Sequence, residues 1–343
     1  MNTGNPALIN FIRAEIRKRG PQSFAWFMQQ ALYHPEHGYY SSGRGAIGRH
    51  GDYFTNVSVG PLFGQLLAAQ FAELWERLGR MDKFSIVEQG AHDGQFAYDV
   101  LDSVWKRAPE FFAALRYEII EPFPFWRDRQ RQTLESFRDK VEWRDAIGPF
   151  AGVHFSNELL DAMPVDLPGK LVGVDGDDFV FVQGAAVSEP PQKNGPCNQA
   201  ALDWIDSVSR NLVRGYMLII DYGHTHSEFP AAIQVRAQHR HLDSPFEQIG
   251  YADITAHVDW TSIAEHAKQN GLSVAGFTDQ HHFLTGIISQ WPELTNELNS
   301  KAKRELQTLL HPEMLGRSFQ VLAFAKNVDP GARLAGLKFA RGL

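Results

Sequence analysis

Apolar residues recur at helical spacing in Ala7, Leu8, Phe11, Ile12 and Ile16, and again in Phe24, Phe27, Met28 and Leu32. Residues 6–33 therefore read as two helices broken at Gly20-Pro21. A Gly- and Tyr-rich stretch from His34 to Asn56 follows, too long to be idle packing. A helix is expected from about Pro61 to Leu78, with the proline in its first turn. Beyond it, short apolar runs alternate with helical patterns. Phe84–Glu88 reads as a strand ending in Gly90-Ala91-His92-Asp93-Gly94, and a helix runs through Phe96, Val100, Leu101 and Val104. Arg116–Glu121 is a second strand, stopped by Pro122; a helix over roughly 125–137 leads to a brief strand around Val141–Trp143. Val153–Ser156 and Gly215–Tyr222 are the fourth and fifth strands. A helix near 262–270, a strand over 272–277, two helices and a final strand at Phe319–Lys326 complete the chain. Strands separated by helices imply βαβ units and a mainly parallel sheet.

Two stretches interrupt this alternation. Lys170–Val174 and Phe179–Gln183, joined through Asp175-Gly176-Asp177-Asp178, carry a hairpin signal. Residues 224–258 read as loop-rich. The expected organisation is a helical cap with its Gly-rich loop over 1–80, an α/β domain over 81–330 with insertions near 165–190 and 224–258, and a tail over 331–343. The insertions are expected to decorate one domain.

Composition narrows the classes. The 343 residues suffice for a core that needs no staples, and 43% apolar with 21% charged residues is an ordinary globular mixture. A formal charge of −7 argues against an extended phosphate-binding surface, so no nucleic-acid partner is expected. The one cysteine, Cys197, excludes an intramolecular disulfide and a cysteine-held zinc, and a reducing cytoplasm fits. The N-terminal stretch has no apolar h-region, and its amphipathic Arg-containing helix is read as part of the fold rather than as a transit peptide. No run approaches the ~18 consecutive apolar residues of a membrane span, so no membrane insertion is expected.

The turn from Glu88 to Gly94 sits where a first βα connection belongs. Glycines there let the backbone approach a ligand and enter a helix whose N-terminus offers free N–H groups. A carboxylate ending the next strand can accept both ribose hydroxyls, and Glu121 meets that need. A dinucleotide wants a further glycine where His92 stands, and a diphosphate would find Asp93 unfriendly. S-adenosylmethionine has no phosphate, and its ammonium and sulfonium suit Glu88 and Asp93. The candidate cofactor set is Glu88, Gly90, Ala91, Gly94 and Glu121, with Asp145 and Ala146 after the third strand placed for an adenine amino group, and Thr55 at the end of the Gly-rich loop. Asp145 reads equally as a solvated loop aspartate.

Segments spread over nearly the whole chain carry a resemblance: Ala31–Tyr40, Gly51-Asp52-Tyr53-Phe54-Thr55, Pro61–Leu67, Ser156–Val165, Ile220–His224 and Asp253–Asp259. In order and spacing these are similar to the MidA-like S-adenosylmethionine-dependent methyltransferases, a family that includes the mitochondrial arginine methyltransferase needed for assembly of respiratory complex I. The resemblance implies a seven-stranded class I methyltransferase sheet, doubly wound and Rossmann-like, and protein arginine N-methylation. The chain departs from the family in carrying His92 at the central glycine of the turn. It also has Asn56-Val57-Ser58-Val59-Gly60 where the family tends to place an acidic residue.

Methyl transfer from a sulfonium is an in-line displacement that depends on positioning. A carboxylate can orient a guanidinium bidentately and stabilise the charge that develops on it. Ser156-Asn157-Glu158 follows the fourth strand, so Glu158 is expected to orient the acceptor nitrogen, assisted by Asn157 and by Asp161, which shares its face if the segment turns helically. Glu158 reads alternatively as a cap of the following turn. Tyr39, Tyr40, Tyr53 and Phe54 could line an acceptor pocket or be ordinary core. His224, His226, His239, His241, His281 and His282 supply no recognisable metal spacing, and no metal is expected. The alternatives are a small-molecule O- or N-methyltransferase, a catalytically inert assembly or binding factor, and, more distantly, a nicotinamide oxidoreductase. Oligomeric state is not legible.

Overall fold

The computed structural model describes residues 3–43, 55–184, 198–225, 233–238, 240–329 and 333–343. These divide into two compact units. One comprises Thr55–Leu159, Trp204–Thr225 and Trp260–Leu343; the other comprises Met1–Phe54, Leu160–Asp203 and His226–Asp259.

The larger unit is built on strands β1 (Phe84–Gln89), β2 (Leu115–Ile120), β3 (Val141–Arg144), β4 (Phe150–Asn157), β5 (Leu212–His224), β6 (Ser273–Asp279) and β7 (Phe319–Lys326). They run in the order β6-β7-β5-β4-β1-β2-β3, with β1 to β5 parallel to one another and β7 antiparallel to both β5 and β6. This is the expected doubly wound sheet. Helices α1 (Leu62–Arg77), α2 (Gln95–Arg107) and α3 (Pro124–Thr133) belong to the same unit. Phe63, Leu67 and Phe71 of α1, Phe96 and Val100 of α2, and Phe84, Ile86 and Phe155 of the strands form one buried core. Phe96 stacks on Phe155 with centroids 4.5 Å apart. Each such buried ring contributes roughly 2–3 kcal/mol. Leu337, near the C-terminus, also lies in this core, so the last residues are anchored.

The smaller unit joins the helices Pro6–Arg19 and Phe24–Tyr33 to the two stretches that interrupt the α/β alternation. Lys170–Asp175 and Asp178–Gln183 form the expected hairpin, extended by Gln22–Ser23. Leu8, Ile12 and Ile16 of the first helix are buried, and Arg13 and Arg17 donate to the backbone oxygens of Asp177 and Gly176 at the hairpin tip. The Arg-bearing helix is thus part of the fold. Within the stretch read as loop-rich, the described residues include strands: Ile233–Ala237 pairs antiparallel with Asp253–Ala256 and with Arg240–His241. Val235 and Ala237 are buried and alternate with Gln234 and Arg236, the period of a half-buried strand. The compact units therefore cut across the expected divisions at residues 80 and 330. The cause is apolar packing: Phe24 and Phe27 share a core with Phe179, Phe246 and Ile254, whereas α1 packs in the unit of the large sheet.

Three smaller differences are local. Pro61 caps α1 rather than lying inside it. The helix expected over 125–137 ends at Thr133 and tightens into a 3₁₀ turn over Glu135–Lys140. Helices Pro109–Ala114 and Gln199–Asn211 fill stretches that carried no clear pattern.

β4 approaches its neighbours through two glycines. Gly152 (φ +142°) and Gly215 (φ +138°) occupy backbone that side chains rarely adopt; a Cβ on Gly152 would lie 2.1 Å from the Ser85 oxygen, and one on Gly215 would lie 1.9 Å from the Gly152 oxygen. Gly152→Ala is expected to lower unfolding stability by more than ~2 kcal/mol. Urea denaturation checks this, and an unchanged midpoint would mean the strands can part without cost.

Candidate functional site

Pairing register lines up one edge of the large sheet. Gln89 pairs with Ile120 and with Ser156, and Ile120 pairs with Arg144. Gly90, Glu121 and Asp145 therefore follow at adjacent strand ends. β1 lies between β2 and β4, where the chain order reverses. Doubly wound sheets present ligand sites outside the carboxyl ends at such a switch point.

The bend after β1 alternates left-handed backbone: Gly90 at φ +84°, His92 at φ +46° and Gly94 at φ +83°. Gly94 then caps α2, and its N–H donates to the Ala91 oxygen at 2.8 Å. His92 thus holds a conformation for which glycine is the natural choice, at a cost of roughly 1–2 kcal/mol. Its ring packs on Trp126 with centroids 4.2 Å apart, and its carbonyl accepts from Gln130 Nε2 at 2.8 Å. These contacts explain how histidine is tolerated there.

Two buried carboxylates flank this bend. Glu88 is 3% exposed and accepts from the Tyr117 hydroxyl at 2.7 Å. Burial pushes its pKa up to about 8, a rise the Tyr117 bond moderates. Glu121 stands one residue past β2 and is 7% exposed. Its carboxylate accepts from the Phe123 N–H at 2.9 Å and from Gln130 Nε2 at 3.2 Å. Burial raises its pKa; the Phe123 and Gln130 bonds and the Arg127 charge restrain the rise. Asp93 behaves oppositely. Burial acts to raise its pKa, but His92 and the Gln95 N–H outweigh this and hold it below the ordinary value. Asp145 is largely exposed and pairs with Arg127, which also donates to the Glu121 backbone oxygen.

The end of β4 forms a second cluster in the same unit. Glu158 adopts φ +54° and donates its N–H to the Ile220 oxygen at 3.0 Å. Its Oε1 accepts from Asn157 Nδ2 at 2.9 Å and from the Asn56 N–H at 3.4 Å, while Asn56 Nδ2 donates to Asn157 Oδ1 at 2.9 Å. Asn56 is wholly buried at the start of a one-turn helix, Asn56–Val59, capped reciprocally by Thr55 and Ser58. Asp221 is also wholly buried and accepts from the Leu159 N–H at 3.1 Å. The expectation that Glu158 and Asp161 share a helical face is corrected. No helix forms over residues 158–163, and Glu158 with its left-handed φ cannot itself be a helical residue three positions before Asp161. Asp161 belongs to the smaller unit, where its backbone oxygen accepts from the Ala256 N–H.

In that smaller unit Tyr39 is core, Tyr40 donates to Asp253 at 2.7 Å, and the stacked rings of Tyr33 and Tyr40 lie 5.5 Å apart. Burial, then Asp253 and Asp161, raises the Tyr33 pKa. Tyr53, Phe54, His226 and His239 lie outside the described residues. His281 bonds the Leu310 oxygen and His282 bonds Asp279. Among the described residues no group of three potential ligands is close enough to hold a metal, and no helix is long and apolar enough to cross a membrane.

Asn56, Asp221 and Gln130 were not among the expected site residues. Asn56 opens the stretch that departs from the family pattern, whereas Asp221 sits inside a segment that carries the family resemblance, which was a usable signal. Gln130 had none, since a glutamine on a highly charged helix reads as solvated.

The chain is similar to known methyltransferases over most of its length. A family described as S-adenosyl-L-methionine-dependent methyltransferase matches residues 66–171 and 181–278. The mitochondrial protein arginine methyltransferase NDUFAF7 homolog of Drosophila melanogaster is 26% identical over 95% of this chain and 86% of its own length. Human NDUFAF7, also named a mitochondrial protein arginine methyltransferase, is 25% identical over 97% of this chain and 86% of its own length. A Burkholderia thailandensis protein crystallised with S-adenosyl-homocysteine superposes with a TM-score of 0.87 at 28% identity, covering 99% of this chain and 98% of that one. The cytoplasmic location expected from the sequence is corrected by these comparisons, because the curated relatives are mitochondrial by name. A single cysteine excludes an intramolecular disulfide and names no compartment.

Glu88 yields a stability prediction with a definite sign. Its folded pKa of about 8 lies above the ordinary 4.5, so the folded chain holds a proton that the unfolded chain releases between those values. Stability from this group is present below pH 4.5 and is lost as pH rises toward 8. Glu88→Gln keeps an acceptor for Tyr117 and removes the titration. Urea denaturation is expected to show the variant close to the parent at pH 5 and ahead of it by roughly 2–4 kcal/mol at pH 8. A gap that does not change with pH would refute the assignment.

Proposed function

Because the chain belongs to the family of S-adenosyl-L-methionine-dependent methyltransferases, we propose that it methylates an arginine side chain of a protein substrate, with the cofactor bound at the β1–β3 edge and the acceptor nitrogen at Glu158. When bound, the cofactor supplies a methyl group activated by a sulfonium. The donor set fits such a ligand. A cationic nucleoside would favour the charged forms of the buried Glu88 and Glu121, whereas a diphosphate would disfavour those forms and be repelled by Asp93.

In this reading Glu121 accepts the ribose hydroxyls, and Gly90 and Ala91 let the cofactor lie close to the backbone. Glu88 answers the ammonium, Asp145 the adenine amino group with Ala146 beside it, and Gly94 opens α2. Thr55 acts indirectly, by capping the turn that delivers Asn56. At the acceptor side, Asn157 and Asn56 hold one oxygen of Glu158 in place. A fixed carboxylate orients a guanidinium and stabilises the positive charge that grows on its nitrogen during transfer.

The observation that carries the proposal is the Glu158 arrangement. A glutamate in left-handed backbone, with one oxygen taken by two amide donors, is a costly placement for a residue with no task. The names of the curated relatives supply the substrate class. A second reading, a small-molecule acceptor, draws on the same place: the turn that departs from the family pattern bonds Glu158 directly through Asn56.

Glu158→Gln is expected to keep S-adenosyl-homocysteine affinity within about twofold while cutting methyl transfer by at least ~100-fold. The measurement is release of S-adenosyl-homocysteine from S-adenosylmethionine in the presence of cell lysate, together with transfer of labelled methyl to protein arginine. Full turnover by the variant would remove Glu158 from the mechanism. Turnover that vanishes once the lysate is dialysed would move the acceptor to a small molecule.

A further inference from the structure

One polar side chain in the larger unit is spent entirely on groups at the β1–β3 edge. Gln130 sits on α3, a helix rich in Arg and Gln whose buried residues are Trp126 and Gln130. It is 0% exposed. Its amide nitrogen donates to the His92 carbonyl at 2.8 Å and to Glu121 Oε2 at 3.2 Å, and its amide oxygen accepts from Trp143 Nε1 at 2.9 Å. The three partners follow or lie in three neighbouring strands: His92 after β1, Glu121 after β2, Trp143 within β3. Gly94 packs on the same residue, since a Cβ there would lie 3.4 Å from Gln130 Cα and Cγ.

We infer that Gln130 is a positioning residue for the cofactor, coupling the left-handed turn after β1 to the carboxylate after β2; this rests on the proposed cofactor role of Glu121. Two physical effects combine. His92 pays for positive φ, and the bond to its carbonyl helps hold the turn in that state. The bond to Glu121 favours the ionised carboxylate against burial, and that form accepts both ribose hydroxyls without having to donate. An apolar residue of similar size would take this partner from the partly buried His92 carbonyl and Trp143 indole N–H and remove one donor from Glu121. Glutamate at this position would face Glu121 as a like charge and have nothing to donate, except when protonated.

The test is titration of S-adenosyl-homocysteine by calorimetry from pH 5.5 to 8.5 against wild type, Gln130→Leu, Gln130→Glu and Glu121→Ala, each checked for folding by thermal melting. Gln130→Leu is expected to lose about 10- to 100-fold in affinity at every pH. Gln130→Glu is expected to lose at least as much at pH 8.5 and to recover toward wild type, compared at equal pH, as the pH falls. A general packing defect would not produce that recovery. Wild-type affinity in Gln130→Leu, or a loss in Gln130→Glu that is the same at all pH values, would overturn the inference while leaving Glu121 in place. Wild-type affinity in Glu121→Ala would instead overturn the cofactor reading beneath it.

Discussion

A chain that leaves a buried parallel strand and enters a helix within a few residues has to reverse its backbone in very little space. Here it does so through positive φ at Gly90, His92 and Gly94. Much of the larger unit follows from that bend. It sets where α2 begins, and α2 brings Phe96 onto Phe155 and into the core shared with α1. It leaves the N–H groups at the start of α2 without a preceding turn to bond, at the point where the order of strands reverses. It also places Glu88 below the turn and Glu121 beside it, so fold and chemistry meet in the same few residues.

The electrostatics of that corner suit the positive ligand proposed for it. Burying carboxylates is unfavourable unless hydrogen bonds or cations compensate. Glu88 has one hydroxyl donor and a pKa near 8, and Glu121 has two donors and a raised pKa. Both would gain from a cation or from hydroxyl donors arriving at the sheet edge. The cluster at β4 differs in kind. Glu158 is fixed by amides and by its own strained backbone, which suits a group that orients a partner.

Much of this architecture was legible in the order of residues. Short apolar strands with helices between them, and a glycine turn followed by an acid at the next strand end, were enough to expect the sheet and the position of Glu121. What escaped had physical reasons. The strand Ile233–Ala237 alternates correctly but lies among histidines and loop residues that masked its period. The expected share of Asp161 rested on a helical turn that left-handed Glu158 prevents, and nothing local in the sequence announces a positive φ at a glutamate. Gln130 was invisible because its partners come from three separate connections, brought together only when the sheet forms. The packing of the smaller unit was hidden because its core is assembled from segments far apart in the chain, Phe24 and Phe27 with Phe179 and Phe246.

The central claim is that the bend after β1 and the acid after β2 together hold the nucleoside. Crystallography of this protein with S-adenosyl-homocysteine tests it most directly. The account predicts both ribose hydroxyls within hydrogen-bonding distance of the Glu121 carboxylate, and the amino-acid end against the backbone of Gly90 and Ala91. Density for the nucleoside elsewhere, or a Glu121 side chain turned away from the ribose, would contradict it.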